Sequence, residues 1–95
     1  MENELSQKNR ERLLQIGTAI AYLRKKCGLS QEKLAAKAGI SRSLLSSIEA
    51  NGIAKNFTLE IFFNLADALE IEPKLLMGAK LSLESEKDDN NEIFS

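Results

Sequence analysis

Four polar residues at helical spacing, Arg42, Ser43, Ser46 and Ser47, share a short segment with an apolar face made of Leu44, Leu45 and Ile48. A guanidinium near a helix N-terminus can donate two parallel hydrogen bonds to a guanine edge. Small hydroxyls donate, accept and permit close approach, but each discriminates little between bases. A phosphate contact is the alternative role for Arg42. Other chemistries are poorly supplied. The chain has no histidine, which removes the commonest general base, metal ligand and pH switch. Its single cysteine, Cys27, excludes an internal disulfide framework and leaves a zinc site with one thiol and carboxylates. No glycine-rich phosphate loop is present. No catalytic residue, cofactor or metal is therefore expected.

The composition sets the scale on which such residues can be held. The chain has 95 residues, 43% of them hydrophobic and 28% charged, as in one ordinary soluble domain. No apolar run approaches the roughly 18 residues of a membrane span, and MENELSQKNR lacks a signal peptide's apolar stretch. A reduced, cytoplasmic, non-catalytic domain is the expectation, with no membrane partner. The net charge of −1 averages two unlike halves. Residues 1–55 carry ten Lys/Arg against five acids, and residues 56–95 carry three Lys against nine acids. Such asymmetry suits a side that faces a polyanion; chance in a short chain is the alternative.

The elements that position these residues read as all-α, a compact bundle of about five short helices. Leu13, Ile16, Ile20, Leu23 and Cys27 form one apolar stripe, stopped by Gly28. Ser30 caps a helix over Gln31 to Ala38, with Gly39 past its end, and Ser41 caps another from Arg42 to about Glu49. Asn51 to Phe57 reads as a loop. Thr58 caps a fourth helix with a stripe of Ile61, Phe62, Leu65, Ala68 and Leu69. Pro73 opens a short fifth helix to Met77. The expected organisation is a flexible N-terminus over 1–10, a domain over 11–78 and an acidic tail over 79–95, mobile from about residue 84. Leu81 and Leu83 leave a short strand or a partner-contacting segment open. The core should run from about Leu13 to Met77, with Leu14, Ile40, Ile53 and Phe57 also buried. Cys27 should pack as a small apolar residue, Tyr22 should be partly buried, and Phe57, Phe62 and Phe63 mostly core. Phe63, Leu75, Leu76, Met77 and Leu81 could together form an apolar dimer patch.

The stretch GLSQEKLAAKAGISRSLLSSIE joins two of these helices at Gly39. A small Ala35 permits close crossing, Gly39 permits a positive φ, and Leu34, Ala38, Ile40, Leu45 and Ile48 point inward. A helix-turn-helix makes these demands, because one helix must project a polar face while its other face stays mounted in the core. A helical domain used for protein contacts is the rival. At these residues the sequence resembles the XRE family, the phage-repressor and Cro type of helix-turn-helix regulator. The matching residues are Ile16, Gly17, Ile20, Leu23, Arg24 and Gly28, then Leu29-Ser30-Gln31-Glu32, Leu34-Ala35, Ala38-Gly39-Ile40-Ser41 and Leu45-Ser46-Ser47-Ile48-Glu49. LEIFFNLADALEIEPKLL matches the family's last two helices, so the resemblance covers roughly residues 12–77.

The resemblance implies a regulator that binds double-stranded DNA. It places Arg42, Ser43 and Ser47 where relatives read base edges, with Ser46 beside them. It places Gln31, next to Ser30, where relatives hold a phosphate and brace the recognition helix. Arg24 and Glu49 match a charged pair that links the first helix to the end of the recognition helix, so a partly buried salt bridge is expected. The link after Glu49 departs from the family, being about two residues longer and less basic. Only Asn51, Gly52, Lys55 and Asn56 remain as phosphate donors there. The implied assembly is a homodimer on a near-palindromic operator. The rival is a protein-binding module, antitoxin-like or partner-sensing, whose protein partner meets the acidic tail.

Overall fold

The computed structural model describes residues 5–78, which form five α-helices. They are α1 (Gln7–Lys26), α2 (Gln31–Ala38), α3 (Arg42–Glu49), α4 (Leu59–Ala68) and α5 (Pro73–Met77). There is no strand among the described residues. The acidic tail, Leu81 and Leu83 lie outside them. Four helices begin at a hydroxyl. Ser6, Ser30, Ser41 and Thr58 accept from the N–H groups of Asn9, Lys33, Leu44 and Ile61 at 3.0–3.1 Å. Each cap satisfies one of the donors that a helix N-terminus leaves unpaired. Pro73 opens α5 without a side-chain cap.

Three helices end in the same doubly bonded turn. After α1, Gly28 N–H donates to Lys25 O and Leu29 N–H to Arg24 O, both at 3.0 Å. After α2, Gly39 and Ile40 donate to Ala36 and Ala35 at 3.2 and 3.0 Å. After α4, Glu70 and Ile71 donate to Asp67 and Ala66, both at 3.0 Å. Gly28 and Gly39 take φ of 73° and 72° there, and Glu70 takes 59° despite its Cβ.

Each helix supplies one large, fully buried aliphatic side chain: Ile20, Leu34, Leu45, Leu65 and Leu76. Ala19, Ala35, Ala38, Ile48, Phe62, Ala66, Ala68 and Leu69 complete the core. Helix α3 packs on α1 and α2, while α4 closes over α2 and α5 packs on α1 and α4. The crossing of α1 and α3 is close enough that a Cβ on Gly17 would collide with the carbonyl oxygen of Ile48.

Several sequence expectations need correction. Helix α1 starts at Gln7, so residues 7–10 are helical rather than part of a flexible N-terminus; Ser6 supplies the start signal. Cys27 is exposed, because the turn at Gly28 brings Leu29 against the core in its place. Tyr22 is 41% exposed, since it lies off the stripe of α1, and the Lys26 ammonium sits 5.6 Å from its ring centroid. Ile53 is 63% exposed in the α3–α4 loop, where Ala50, Ala54 and Phe57 are the partly buried residues. Leu14, Ile40 and Phe57 are half-buried rather than fully buried. In the short α5 only Leu76 faces the core, so Met77 is exposed and Leu76 is unavailable to a dimer patch.

Two substitutions test this packing. Gly17→Ala should destabilise the domain by about 1–3 kcal/mol through overpacking, although alanine favours a helix by about 1 kcal/mol. Thermal unfolding followed by circular dichroism should show a fall of several degrees in Tm; an unchanged Tm would mean that α1 and α3 are not in close contact. Glu70→Gly should raise Tm by a few degrees in the same assay, by relieving about 1 kcal/mol of left-handed strain.

Candidate nucleic-acid interface

The outward face of α3 follows from its helical period. Leu45 and Ile48 are 0% and 3% exposed and anchor the helix. Arg42, Ser43 and Ser46 therefore face solvent, while Ser47, on the flank, is half-buried. The structure thus brings three of the four candidate base-reading residues onto one open face and holds the fourth nearer the core.

A second group of residues meets at the N-terminal end of α2. Arg24, Ser30, Gln31, Glu32 and Arg42 line an open polar cleft of about 460 Å³. The Ser30 hydroxyl is committed to capping α2 through Lys33 N–H at 3.0 Å. The N–H groups of Gln31 and Glu32, in the first turn, have no intrahelical acceptor, which suits an anion. Glu32 is the carboxylate that opposes one. Arg42 forms no salt bridge with any described residue.

Behind the cleft, Glu49 is the acceptor of a three-donor network. Arg24 Nε donates to Glu49 Oε2 at 2.8 Å and Arg24 Nη2 to Oε1 at 3.0 Å. Gln31 Nε2 donates to the same Oε1 at 2.9 Å, and Arg24 Nη1 donates to Leu29 O at 2.8 Å. The side chains of Arg24 and Glu49 are only 11% and 5% exposed. Hydrogen bonding to Glu49 raises the Arg24 guanidinium above its ordinary pKa, against the opposing effect of burial. The Arg24–Leu29 bond carries no signal in the sequence, whereas the Arg24–Glu49 pair and a bracing role for Gln31 are what the resemblance implied. The close approach at Gly17 did carry one: a glycine inside an apolar helix stripe.

The α3–α4 link leaves the helix at Ala50 in an extended conformation and turns at Gly52, with φ 79°. Asn51, Gly52, Lys55 and Asn56 are all exposed. None of their N–H groups donates to an acceptor among the described residues. Among the described residues, too, no group of three His, Cys, Asp or Glu is placed to hold a metal, and no helix is long and apolar enough to cross a membrane.

Known proteins resemble this chain in sequence and fold. A helix-turn-helix family model matches residues 20–76. The antitoxin HipB of Escherichia coli (strain K12) is 33% identical over 78 residues, which are 82% of this chain and 86% of that protein. The restriction-modification controller protein C.AhdI of Aeromonas hydrophila is 39% identical, with a TM-score of 0.62 over 67% of this chain and 94% of its own. A mutant of the restriction-modification controller protein C.Esp1396I is 28% identical, with a TM-score of 0.65 over 82% of this chain and 97% of its own.

The Glu49 network gives a stability prediction. Glu49→Ala should cost about 3–5 kcal/mol, because it leaves the buried Arg24 guanidinium without its carboxylate. The double replacement Arg24→Met, Glu49→Leu should recover most of that loss. Urea unfolding of the three proteins checks this; equal losses in the single and double variants would mean that the pair is not coupled.

Proposed function

The chain belongs to the XRE type of the helix-turn-helix family, the DNA-binding transcription regulators, and on that premise we propose that it occupies a near-palindromic operator as a homodimer. The observation that carries this reading is Arg42, which forms no salt bridge with any described residue, at the open end of α3, beside Ser43 and Ser46 on a face whose reverse is anchored by Leu45 and Ile48. Helix α3 enters the major groove, Arg42 takes a guanine edge, and Ser43, Ser46 and Ser47 permit close approach. The first turn of α2 at Ser30 and Gln31 receives one phosphate. Gln31 has one amide hydrogen committed to Glu49, and the other stays available to that phosphate. Asn51, Lys55 and Asn56 supply donors to a phosphate further along the strand. Control is by occupancy of promoter DNA, with no chemistry.

A single α3 offers one strong base-reading side chain and three weak ones, so two copies are needed for a useful specificity ratio. Helices α4 and α5 pack on each other and expose Leu59, Phe63, Leu75 and Met77 at 45–63%. This supports a dimer joined away from α2 and α3, with recognition helices about 34 Å apart. The likeness to an antitoxin supports a second reading, a protein-binding module on the same fold.

Selection of random-sequence duplex DNA on the purified chain separates the two. The operator reading expects an inverted repeat with half-sites about one turn apart, and affinity that falls steeply with salt. Arg42→Ala should lower operator affinity by roughly ten- to a hundredfold and relax preference at one base pair per half-site. Equal affinity and base preference in that variant would sink the assigned surface. No retention of DNA at low salt would favour the protein-binding module.

A further inference from the structure

The charge of this chain is divided between two segments of its sequence. From Arg24 to Phe57 it carries seven cationic side chains against two carboxylates, Glu32 and the Glu49 that Arg24 already neutralises. Lys25, Lys33, Lys37, Arg42 and Lys55 are exposed and make no salt bridge with any described residue. Residues 79–95, outside the described residues, have the opposite balance. Five carboxylates, Glu84, Glu86, Asp88, Asp89 and Glu92, fall within nine positions that hold one lysine, Lys87.

The chain length permits the two segments to meet. The last described residue is Gly78, so Glu84 and Glu92 lie 6 and 14 residues beyond it. At about 3.3 Å per residue they can reach roughly 20 and 46 Å, compared with a longest molecular extent of 37 Å. An attached segment acts at an effective concentration of order millimolar, enough to populate a weak electrostatic contact. Duplex DNA carries one charge per about 1.7 Å, several times denser than one carboxylate in about 6 Å of extended chain, so DNA wins the exchange.

We propose that Glu84–Glu92 contacts the exposed cationic side chains of α2 and α3, Lys33, Lys37 and Arg42, in the DNA-free protein and is displaced by DNA. The contact works as a built-in competitor that lowers affinity for duplex DNA of any sequence. This rests on the DNA-binding reading for its consequence, but the contact itself can be observed without DNA.

The test uses the full chain beside a full-length variant carrying Glu84→Gln, Glu86→Gln, Asp88→Asn, Asp89→Asn and Glu92→Gln. Amide and arginine Nε–H NMR spectra are recorded without DNA at low and moderate salt. Affinity for random-sequence duplex DNA is measured under the same conditions. Signals of Lys33, Lys37 and Arg42 should differ between the two proteins at low salt and converge as salt screens the contact. The variant should bind DNA threefold to tenfold more tightly at low salt, with the gain shrinking as salt rises. Coincident spectra at low salt would overturn the contact, even if affinity rose, because removing long-range repulsion alone would explain the gain. Different spectra with equal DNA affinity would overturn the competition. Different spectra with no DNA binding by either protein would leave the contact standing and remove the DNA-binding reading, making the segment a cover for a face that meets another partner.

Discussion

The arrangement depends on how the ends of three helices are held against one another, and the Glu49 carboxylate is where they meet. It sits at the last residue of α3 and receives donors from Arg24 near the end of α1 and Gln31 at the start of α2. Arg24 also reaches back to the Leu29 carbonyl, tying the turn after α1 into the same network. A buried ion pair adds little net stability, because desolvation offsets most of the attraction. Here its directional bonds determine where α3 sits relative to α2. Hydrophobic contacts alone would tolerate small rotations of α3, whereas three N–H donors aimed at one carboxylate do not.

Close packing supports that geometry from the other side. Gly17 lets α1 approach the backbone of α3 at Ile48, one residue before the carboxylate. The largest fully buried side chains come one from each helix, so no helix can leave without exposing a central side chain. The hydroxyl caps and paired C-terminal turns end the elements sharply, which keeps the connections short. Helix α3 lacks such a turn and leaves through an extended Ala50, so the following link runs on across the surface.

Much of this was legible in the sequence. Serine before each apolar run gave the starts of α2 and α3, Gly39 gave the end of α2, and Pro73 gave the start of α5. What escaped had physical reasons. Ser6 precedes a wholly polar first turn, so the start of α1 carries no hydrophobic pattern to read. Glu70 occupies a left-handed position where glycine would have announced the end of α4. Cys27 has the right spacing for burial, but the chain turns before anything can cover it. At the candidate site, the side-chain types on α3 could be read from the helical period. The Arg24–Glu49 pair and the brace from Gln31 came only through the resemblance, and the bond from Arg24 to the Leu29 carbonyl could not be read at all, since these depend on how three separate elements cross.

The division of labour along α3 has an evolutionary consequence. Leu45 and Ile48 hold the helix in place, while Arg42, Ser43 and Ser46 are exposed. Substitutions at these three positions are therefore nearly free of folding cost, and drift or laboratory evolution can explore them without first accumulating compensating changes. Duplicated copies of such a gene can diverge in what they recognise while inheriting an unchanged scaffold. The same separation makes α3 a suitable place to graft a new specificity.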